Sequence, residues 1–363
     1  SGYKLNKVYS VLPTDGSGDL DFARTSTATR VNQNGLIEEV AIGVPRLDYT
    51  DGGCPSLLLE PASINLITYS EDYSNASWAK SNLTVTSNST VSPSGDVDAD
   101  LIDFTAVSNY LDKSGTITIG QVYTVSCYVK SAVSSNQNFI MYANANKNDG
   151  VLSATSEWQR FTYTFTADGT AMSSGLGSDE LSQIYAWGFQ LEQQSSATSY
   201  IPTVGTTISR TADSASKSGI SSLIGQTEGV LYLSYKNKTT SSAEYISLSD
   251  GTDANSIRIF INNSNQVGVS IISGGGSVYA NTITDNYSNI TDMKVAIKYK
   301  SGDYAIFING VRKNFSTAIT SPPLTSILAG NRGSAAGFLY KDIKDLRVYN
   351  QILTDAELTT LTT

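Results

Sequence analysis

Apolar and polar side chains alternate with a period of two residues in several runs of this sequence. In residues 293–299 the apolar positions alternate mostly with lysine, and a Ser-Gly-Asp turn leads into a second alternating run at 304–308. Asn309-Gly310 then turns the chain again. Such alternation gives a strand one buried face and one wet face, and Asn-Gly is a common hairpin turn. Two hairpins in so short a stretch predict antiparallel β structure.

The same alternation recurs in residues 123–130, 139–144 and 161–165, and Ser, Asn, Gly and Asp separate the runs. The chain has 363 residues, which is more than one β-sandwich needs, and 40% of them are hydrophobic. We therefore predict an all-β protein with two antiparallel β-sandwiches (jelly rolls) in tandem. A short irregular N-terminal segment precedes them, and one short C-terminal helix is indicated by a capping box at residues 354–357.

Changes of composition along the chain predict four parts. Residues 1–65 are broken by Gly and Pro and form an irregular docking segment, which we expect to pack on a neighbouring domain or another subunit. Residues 66–205 form the first jelly roll. Residues 206–226 are rich in Ser, Thr, Gly and Ala, as linkers are, and residues 227–363 form the second sandwich.

The charge and the cysteine content narrow the function classes. The formal net charge is −9 and no basic stripe exists, so nucleic acid is not expected as a partner. The sequence contains no run of about 18 apolar residues, so insertion into a membrane is not expected. The chain has no histidine, and Cys54 and Cys127 are too far apart in sequence to form a zinc motif. Cys127 alternates with valines and is predicted to be a buried thiol, and pairing with Cys54 is left open.

Two groups of polar and aromatic residues are candidates for binding a sugar. Trp78 follows a run of small polar residues and could present its ring to a pyranose, although packing at a sheet edge explains it equally. The second group is predicted to share one sheet face, on two neighbouring strands, where amide and phenol groups match vicinal hydroxyls. The alternative is an ordinary wet sheet face. Its members are Tyr128, Lys130, Tyr142, Asn144 and Asn146.

The end of the chain resembles a known fold family. Residues 343–358 read IKDLRVYNQILTDAEL and are similar to the closing strand and helix of laminin-G-like, concanavalin-like domains. Residues 307–313, FINGVRK, match the hairpin of that family. The resemblance implies a sandwich for the last part of the chain, and it implies no single function because such folds serve many. The matching positions are Asp345, Arg347, Tyr349, Asn350, Leu353 and Glu357.

Other strings resemble proteins of tailed bacteriophages. Residues 156–167 and 185–203 are similar to carbohydrate-binding-module-like jelly rolls, and residues 24–40 and 45–78 resemble segments of phage fibre and spike proteins. The resemblance implies a virion protein of the tail fibre, receptor-binding or head-fibre type, located outside the cell on the tail or capsid surface. It further implies bacterial surface glycan as partner, contact with other virion proteins through the N-terminal part, and a homo-oligomer, by analogy a trimer.

The resemblance also bears on metal binding and catalysis. Laminin-G-like domains often hold calcium in rim loops, so Asp250 and Asp253 are candidate calcium ligands, with a plain turn as the alternative. Residues 96–103 contain four aspartates. Three interpretations of this cluster are left open: a solvated loop, a calcium site and a pair of catalytic carboxylates. Because the carboxylate triple of concanavalin-type glucanases is missing, we do not expect an enzyme.

Three functions follow from these expectations. The first is a phage adhesion protein that binds host glycan through its sandwiches without catalysis. The second is a structural capsid decoration or head-fibre protein that uses the same folds as spacers. The third is a secreted bacterial protein that binds or degrades glycans.

Overall fold

The computed structural model describes residues 2–143, 147, 148, 150–237, 243–283, 285, 287, 289–314, 321–329 and 339–363. The predicted all-β class is confirmed, because these residues form many antiparallel strands and a single described helix. Among them no helix has the length and the apolar run that crossing a membrane requires. The strands in chain order are β1 (Tyr3–Lys4), β2 (Lys7–Val8), β3 (Leu20–Ala23), β4 (Ala28–Val31), β5 (Ile37–Val40), β6 (Leu47–Asp48), β7 (Ser56–Leu58), β8 (Ser63–Asn65), β9 (Ala79–Ser81), β10 (Leu83–Val91), β11 (Val97–Phe104), β12 (Tyr110–Thr116), β13 (Val122–Ser131), β14 (Gln137–Ala143), β15 (Lys147–Asn148), β16 (Leu152–Ala154), β17 (Gln159–Thr166), β18 (Ala171–Gly177), β19 (Ser182–Glu192), β20 (Ile208–Arg210), β21 (Ser214–Lys217), β22 (Glu228–Lys236), β23 (Glu244–Ser249), β24 (Ser256–Ile261), β25 (Val267–Ser273), β26 (Gly276–Thr282), β27 (Asp292–Lys300), β28 (Ala305–Ile308), β29 (Val311–Asn314), β30 (Ser326–Ala329) and β31 (Asp342–Tyr349).

The chain divides into two compact units. Unit 1 comprises Ser1–Thr27, Val40–Pro61 and Thr211–Thr363. Its larger sheet has the strand order β1-β2-β3-β21-β30-β23-β24-β25-β26, and its smaller sheet has the order β29-β28-β27-β22-β31-β7-β6. The alternation seen in the sequence explains the packing, because Leu231 and Leu233 of β22 pair with Ile297 and Val295 of β27 and contribute to a buried core.

A short helix covers the other face of β22 in unit 1. Helix α1 (Asp355–Thr362) begins with the predicted capping box, in which the Thr354 side chain accepts a hydrogen bond from the Glu357 backbone and the Glu357 side chain accepts one in return. Leu358 is buried in a small apolar cluster that also contains Val230 and Phe307. The helix predicted at the C-terminal end is therefore confirmed.

Unit 2 comprises Ala28–Glu39 and Ala62–Arg210. One sheet has the strand order β10-β11-β19-β13-β17. The other sheet has six strands, with the order β15-β14-β18-β12-β9 and with β16 also paired to β14. The core lies on the inward positions of both sheets, including Cys127 of β13 and Met141 of β14. Cys127 is a free, buried thiol, and burial raises its pKa to about 12. Cys54 is also free and is exposed.

The residues predicted as an N-terminal segment and as a linker form short strands in several sheets. Residues 1–65 are shared between the two units, so the part predicted as one docking segment is divided. Strand β3 pairs with β21, which lies in the predicted linker 206–226, and β7 pairs with β31. Strand β20, also from that linker, pairs with β8. The physical reason is that short strands expose unpaired backbone groups, which are satisfied by strands from distant parts of the chain.

Buried charges join the three chain segments of unit 1. The Asp213 carboxylate accepts a hydrogen bond from Arg24 Nη1 at 3.1 Å and forms a second ion pair with Arg46. Arg46 Nη1 also donates to Glu60 at 2.7 Å, and the Glu60 backbone N–H donates to Asp213 at 2.9 Å. All four side chains are almost completely shielded from solvent. Because buried charges must be paired, this cluster fixes the segments against one another.

Candidate functional site

The predicted sugar-binding residues do not share one sheet face. Tyr128 and Lys130 lie on β13, whereas Tyr142 lies on β14, which belongs to the opposite sheet of unit 2. Since the inward positions of both strands fill the core, Tyr128 and Tyr142 point away from it in opposite directions. The single groove predicted across neighbouring strands is therefore not formed. Asn144 and Asn146 lie outside the described residues.

Trp78 is a core residue in the structure. It is 2% exposed and packs edge-on against Tyr73 and Phe189, with ring centroids 5.2 and 5.5 Å away. Its indole N–H donates to the Tyr69 carbonyl at 3.0 Å. A ring whose faces are covered by protein cannot stack on a sugar, so Trp78 is removed from the candidate binding residues.

The candidate calcium ligands in unit 1 are used by their own loop. Asp250 accepts hydrogen bonds from the Thr252 hydroxyl at 2.6 Å and from the Asn255 amide at 2.7 Å. Burial opposes ionisation, but these bonds hold the pKa of Asp250 below its usual value. Asp253 forms an ion pair of 2.8 Å with Arg258. Among the described residues, no three His, Cys, Asp or Glu side chains gather as a metal site would require, and this geometry favours the turn that the sequence left as the alternative.

An open groove of about 430 Å³ lies on the outer face of the six-stranded sheet of unit 2. Strands β12, β14 and β18 form its floor, and turns at their ends form its rim. Most of its lining residues are polar, with aspartates, hydroxyl groups and two tyrosines and without any Lys or Arg. The lining residues are Ser108, Asn109, Tyr110, Asp112, Ile140, Tyr142, Ser173, Gly177, Ser178 and Asp179.

Tyr142 lies across the floor of this groove. Its hydroxyl reaches from β14 over β18 to β12, where it donates to the Leu111 carbonyl at 3.0 Å. Two glycines of β18 make room for the ring. A Cβ atom on Gly175 would lie 2.9 Å from the Tyr142 hydroxyl, and one on Gly177 would lie 3.9 Å from Tyr142 Cε1. One face of the ring therefore packs on glycine backbone, and the other faces the groove.

Asp112 is held beside the Tyr142 hydroxyl by hydroxyl donors. Its Oδ1 accepts a hydrogen bond from Ser173 at 2.5 Å and a longer one from Tyr142 at 3.3 Å, and its Oδ2 accepts one from Ser114 at 3.0 Å. Burial and the nearby Asp112 charge raise the pKa of Tyr142 above its usual value. The tyrosine therefore remains a protonated donor, and the carboxylate is fixed in position as an acceptor at the groove surface.

The rim of the groove is fixed by Asn109. Its amide donates to the carbonyls of Ala106 and Ser178, both at 2.8 Å, and its Oδ1 accepts from the Ser178 backbone at 2.7 Å. These bonds join the turn before β12 to the turn after β18. The rim is consequently set before any ligand arrives, which lowers the entropic cost of binding.

Sequence reasoning found Tyr142 but missed the residues around it. The missed signal lies in β18, where Ser173, Gly175 and Gly177 are spaced by two and so share a face. Small side chains in that spacing project little from the outer face of the sheet. A larger side chain from a neighbouring strand can therefore lie flat over them. Asp112 gave no signal of its own, because only the strand register brings it beside Tyr142.

The four aspartates of residues 96–103 are not gathered in a solvated loop. Three of them lie on β11, and Asp100 is 1% exposed. Its carboxylate accepts backbone hydrogen bonds from Tyr73 at 2.9 Å and from Asn88 at 3.0 Å. Burial nevertheless raises its pKa to about 6. Asp100 therefore holds two chain segments in place within unit 2.

Comparison with known proteins gave matches among solved structures alone. No family model and no curated protein matches the chain. Many of the similar structures are carbohydrate-binding modules with β-sandwich folds.

Three examples show the level of likeness. The CBM40 module of Ruminococcus gnavus IT-sialidase, bound to alpha2,3 sialyllactose, is 20% identical and has a TM-score of 0.34, with 38% of this chain and 84% of that chain covered. The tandem CBM22 modules of Paenibacillus barcinonensis Xyn10C are 10% identical with a TM-score of 0.30, over 80% and 98% of the two chains. The SAP-like pentraxin of Limulus polyphemus is 12% identical with a TM-score of 0.32, over 39% and 72%. TM-scores this low carry no argument about function.

Proposed function

We propose that unit 2 binds a glycan in the groove around Tyr142. The observation that carries the proposal is the tyrosine ring laid flat over Gly175 and Gly177, with a fixed carboxylate at its edge. The apolar face of a pyranose stacks on such a ring, while its hydroxyl groups donate to the Asp112 carboxylate and to the Ser173 hydroxyl oxygen. The groove is open, so it suits a chain of sugars that continues beyond both ends.

The charge of the groove narrows the class of glycan. Its lining contains Asp112 and Asp179 and no Lys or Arg. An acidic sugar would be repelled by these carboxylates, because like charges close together are unfavourable. We therefore propose that the groove takes uncharged pyranoses.

The test is affinity electrophoresis of the full chain through gels that contain soluble neutral polysaccharides: a β-glucan, a xylan, a galactomannan and a dextran. We expect at least one of them to retard the protein and Tyr142→Ala to weaken that binding at least tenfold, since stacking on one ring contributes about 1–2 kcal/mol and the hydroxyl network is lost as well.

The matched control is Tyr9→Ala, which removes an exposed tyrosine from unit 1. Retardation that is equal for Tyr142→Ala and the wild type would contradict the proposed site. A protein that no member of the panel retards, and that also fails to bind intact bacterial cells, would contradict glycan binding altogether.

We further propose that the protein acts as a virion adhesion protein of a tailed bacteriophage, on the basis of the sequence resemblance in residues 24–78 and 156–203. Weak binding at one shallow groove would be multiplied by repetition of the chain in a homo-oligomer. The expected outcome is that the purified protein has an oligomeric mass in light scattering and blocks phage adsorption to host cells. A monomer that leaves adsorption unchanged would contradict this role and favour a structural virion component.

We also propose that binding occurs without catalysis. Asp112 accepts hydrogen bonds from three hydroxyl groups, which suits a fixed acceptor for sugar hydroxyls. Incubation with the retarding polysaccharide should release no new reducing ends. Release that Asp112→Asn abolishes would overturn the proposal and assign a glycoside hydrolase.

A further inference from the structure

Lys130 lies between two aromatic rings on the outer face of the five-stranded sheet of unit 2. Its amine is 5.0 Å from the centre of the Trp158 ring and 5.4 Å from the centre of the Tyr185 ring. Strand register explains the arrangement, because Lys130 pairs with Tyr185 on one side, and Trp158 precedes β17 on the other. The Trp158 indole is held by a hydrogen bond of 3.0 Å to the Val91 carbonyl. The Trp158 ring is therefore a fixed flank of the amine, and the Tyr185 ring lies on its other side.

Lys130 has no carboxylate partner among the residues that the structure describes. Its amine takes part in no hydrogen bond or ion pair with them, and its side chain is partly exposed. This is unusual in a chain whose formal net charge is −9, where acidic groups outnumber lysine and arginine. Aromatic faces attract a cation but do not neutralise it, so the amine keeps its capacity to bind an anion.

The neighbouring cation is already used by the protein. Arg160 lies over the Tyr128 ring at 5.3 Å and donates to the Thr198 carbonyl at 2.7 Å and to the Ser126 hydroxyl at 2.9 Å. Of these two cations, Lys130 is the one that is left to meet a ligand. The charge of this face is also opposite in sign to that of the Tyr142 groove, whose charged lining residues are both aspartates.

We propose that Lys130, Trp158 and Tyr185 form a second sugar site that takes a carboxylated pyranose, such as a uronic acid or a nonulosonic acid. The amine pairs with the carboxylate, and the flanking rings contact the C–H groups of the sugar. A sugar carboxylate fits better than a phosphate, because phosphate sites usually supply several N–H donors and this face offers one amine. With the neutral groove on the opposite sheet, the unit would hold a polysaccharide that contains both neutral and acidic sugars.

The test is calorimetric titration of the full chain with trigalacturonate and with its fully methyl-esterified form, which has the same backbone without charge. We expect the acid to bind at least tenfold more tightly than the ester. Lys130→Met should remove this difference, and Lys130→Arg should retain most of it. A sialic acid trimer, titrated in parallel, distinguishes a nonulosonic from a uronic ligand.

A control variant separates this site from general effects of charge. Lys300→Met removes one positive charge from an exposed lysine of unit 1 and should leave the preference unchanged. Equal affinity for the acid and the ester, or an equal loss in Lys130→Met and Lys300→Met, would overturn the proposal. Binding of inorganic phosphate that Lys130→Met abolishes, with neither acidic trimer bound, would also overturn it and assign a phosphate site.

Discussion

Asp100 is a buried carboxylate that accepts two backbone hydrogen bonds and yet has a pKa of about 6, because burial outweighs those bonds. In the unfolded chain the same group titrates near 3.8. The folded state therefore binds the Asp100 proton more tightly than the unfolded state. It follows that the contribution of this group is most favourable below about pH 4 and is lost as the pH rises through 6.

This loss of stability with rising pH predicts the effect of replacing Asp100. Asp100→Asn cannot titrate, so the free energy of unfolding of the wild type should fall relative to that of the variant by on the order of 2 kcal/mol between pH 4 and pH 7. Urea unfolding of both proteins at four pH values measures the difference, in which the other carboxylates cancel. Parallel pH profiles would show that Asp100 has no raised pKa.

At the level of secondary-structure elements, Gly175 determines how β18 supports the groove. A Cβ atom there would lie 1.8 Å from the Leu111 carbonyl oxygen and 2.9 Å from the Tyr142 hydroxyl. Gly175→Ala should therefore separate β12 from β18 and displace the tyrosine. We expect a loss of about 2–4 kcal/mol in the free energy of unfolding, measured with urea, together with loss of glycan binding.

The control for this change is Gly276→Ala on β26 of unit 1, where the nearest atom to an added Cβ is 3.7 Å away. It should change stability by less than about 1 kcal/mol. If Gly175→Ala were as stable as Gly276→Ala and still bound glycan, the close packing of Tyr142 on β18 would be contradicted.

The strands of this fold are well predicted from sequence, and their assignment to sheets is not. Alternation in residues 123–130 and 139–144 indicates two half-buried strands and correctly places Cys127 inside. Whether consecutive strands pair or cross to opposite sheets depends on partners far along the chain, since β13 pairs with β17 and β19 while β14 pairs with β18. The interpretation of Tyr128 and Tyr142 as neighbours failed for that reason.

Across the whole molecule, unit 1 depends on one buried aspartate that reaches all three of its chain segments. Asp213 binds Arg24 from the first segment and Arg46 from the second. Removal of its charge takes away the carboxylate that pairs with both buried guanidinium groups, and Arg46 keeps its ion pair with Glu60. We expect Asp213→Asn to lower the free energy of unfolding of unit 1 by roughly 3–5 kcal/mol, measured by hydrogen exchange of its amides.

The control is Lys7→Ala, which breaks the exposed ion pair of Lys7 with Asp21 in the same unit. Exposed pairs contribute about 1 kcal/mol or less, so its effect should be small. Equal effects of the two substitutions would contradict the role given to the buried cluster. Sequence alone could not indicate this cluster, because residues 24, 46, 60 and 213 meet only after the strands have paired.

The most direct test of glycan binding in unit 2 is hydrogen–deuterium exchange of the full chain with and without the polysaccharide that retards it most strongly. We expect protection in residues 108–116, 138–143 and 171–179, which carry the lining of the Tyr142 groove. The same experiment on Tyr142→Ala should show no protection there. Protection confined to other segments, or equal protection in wild type and variant, would contradict the site.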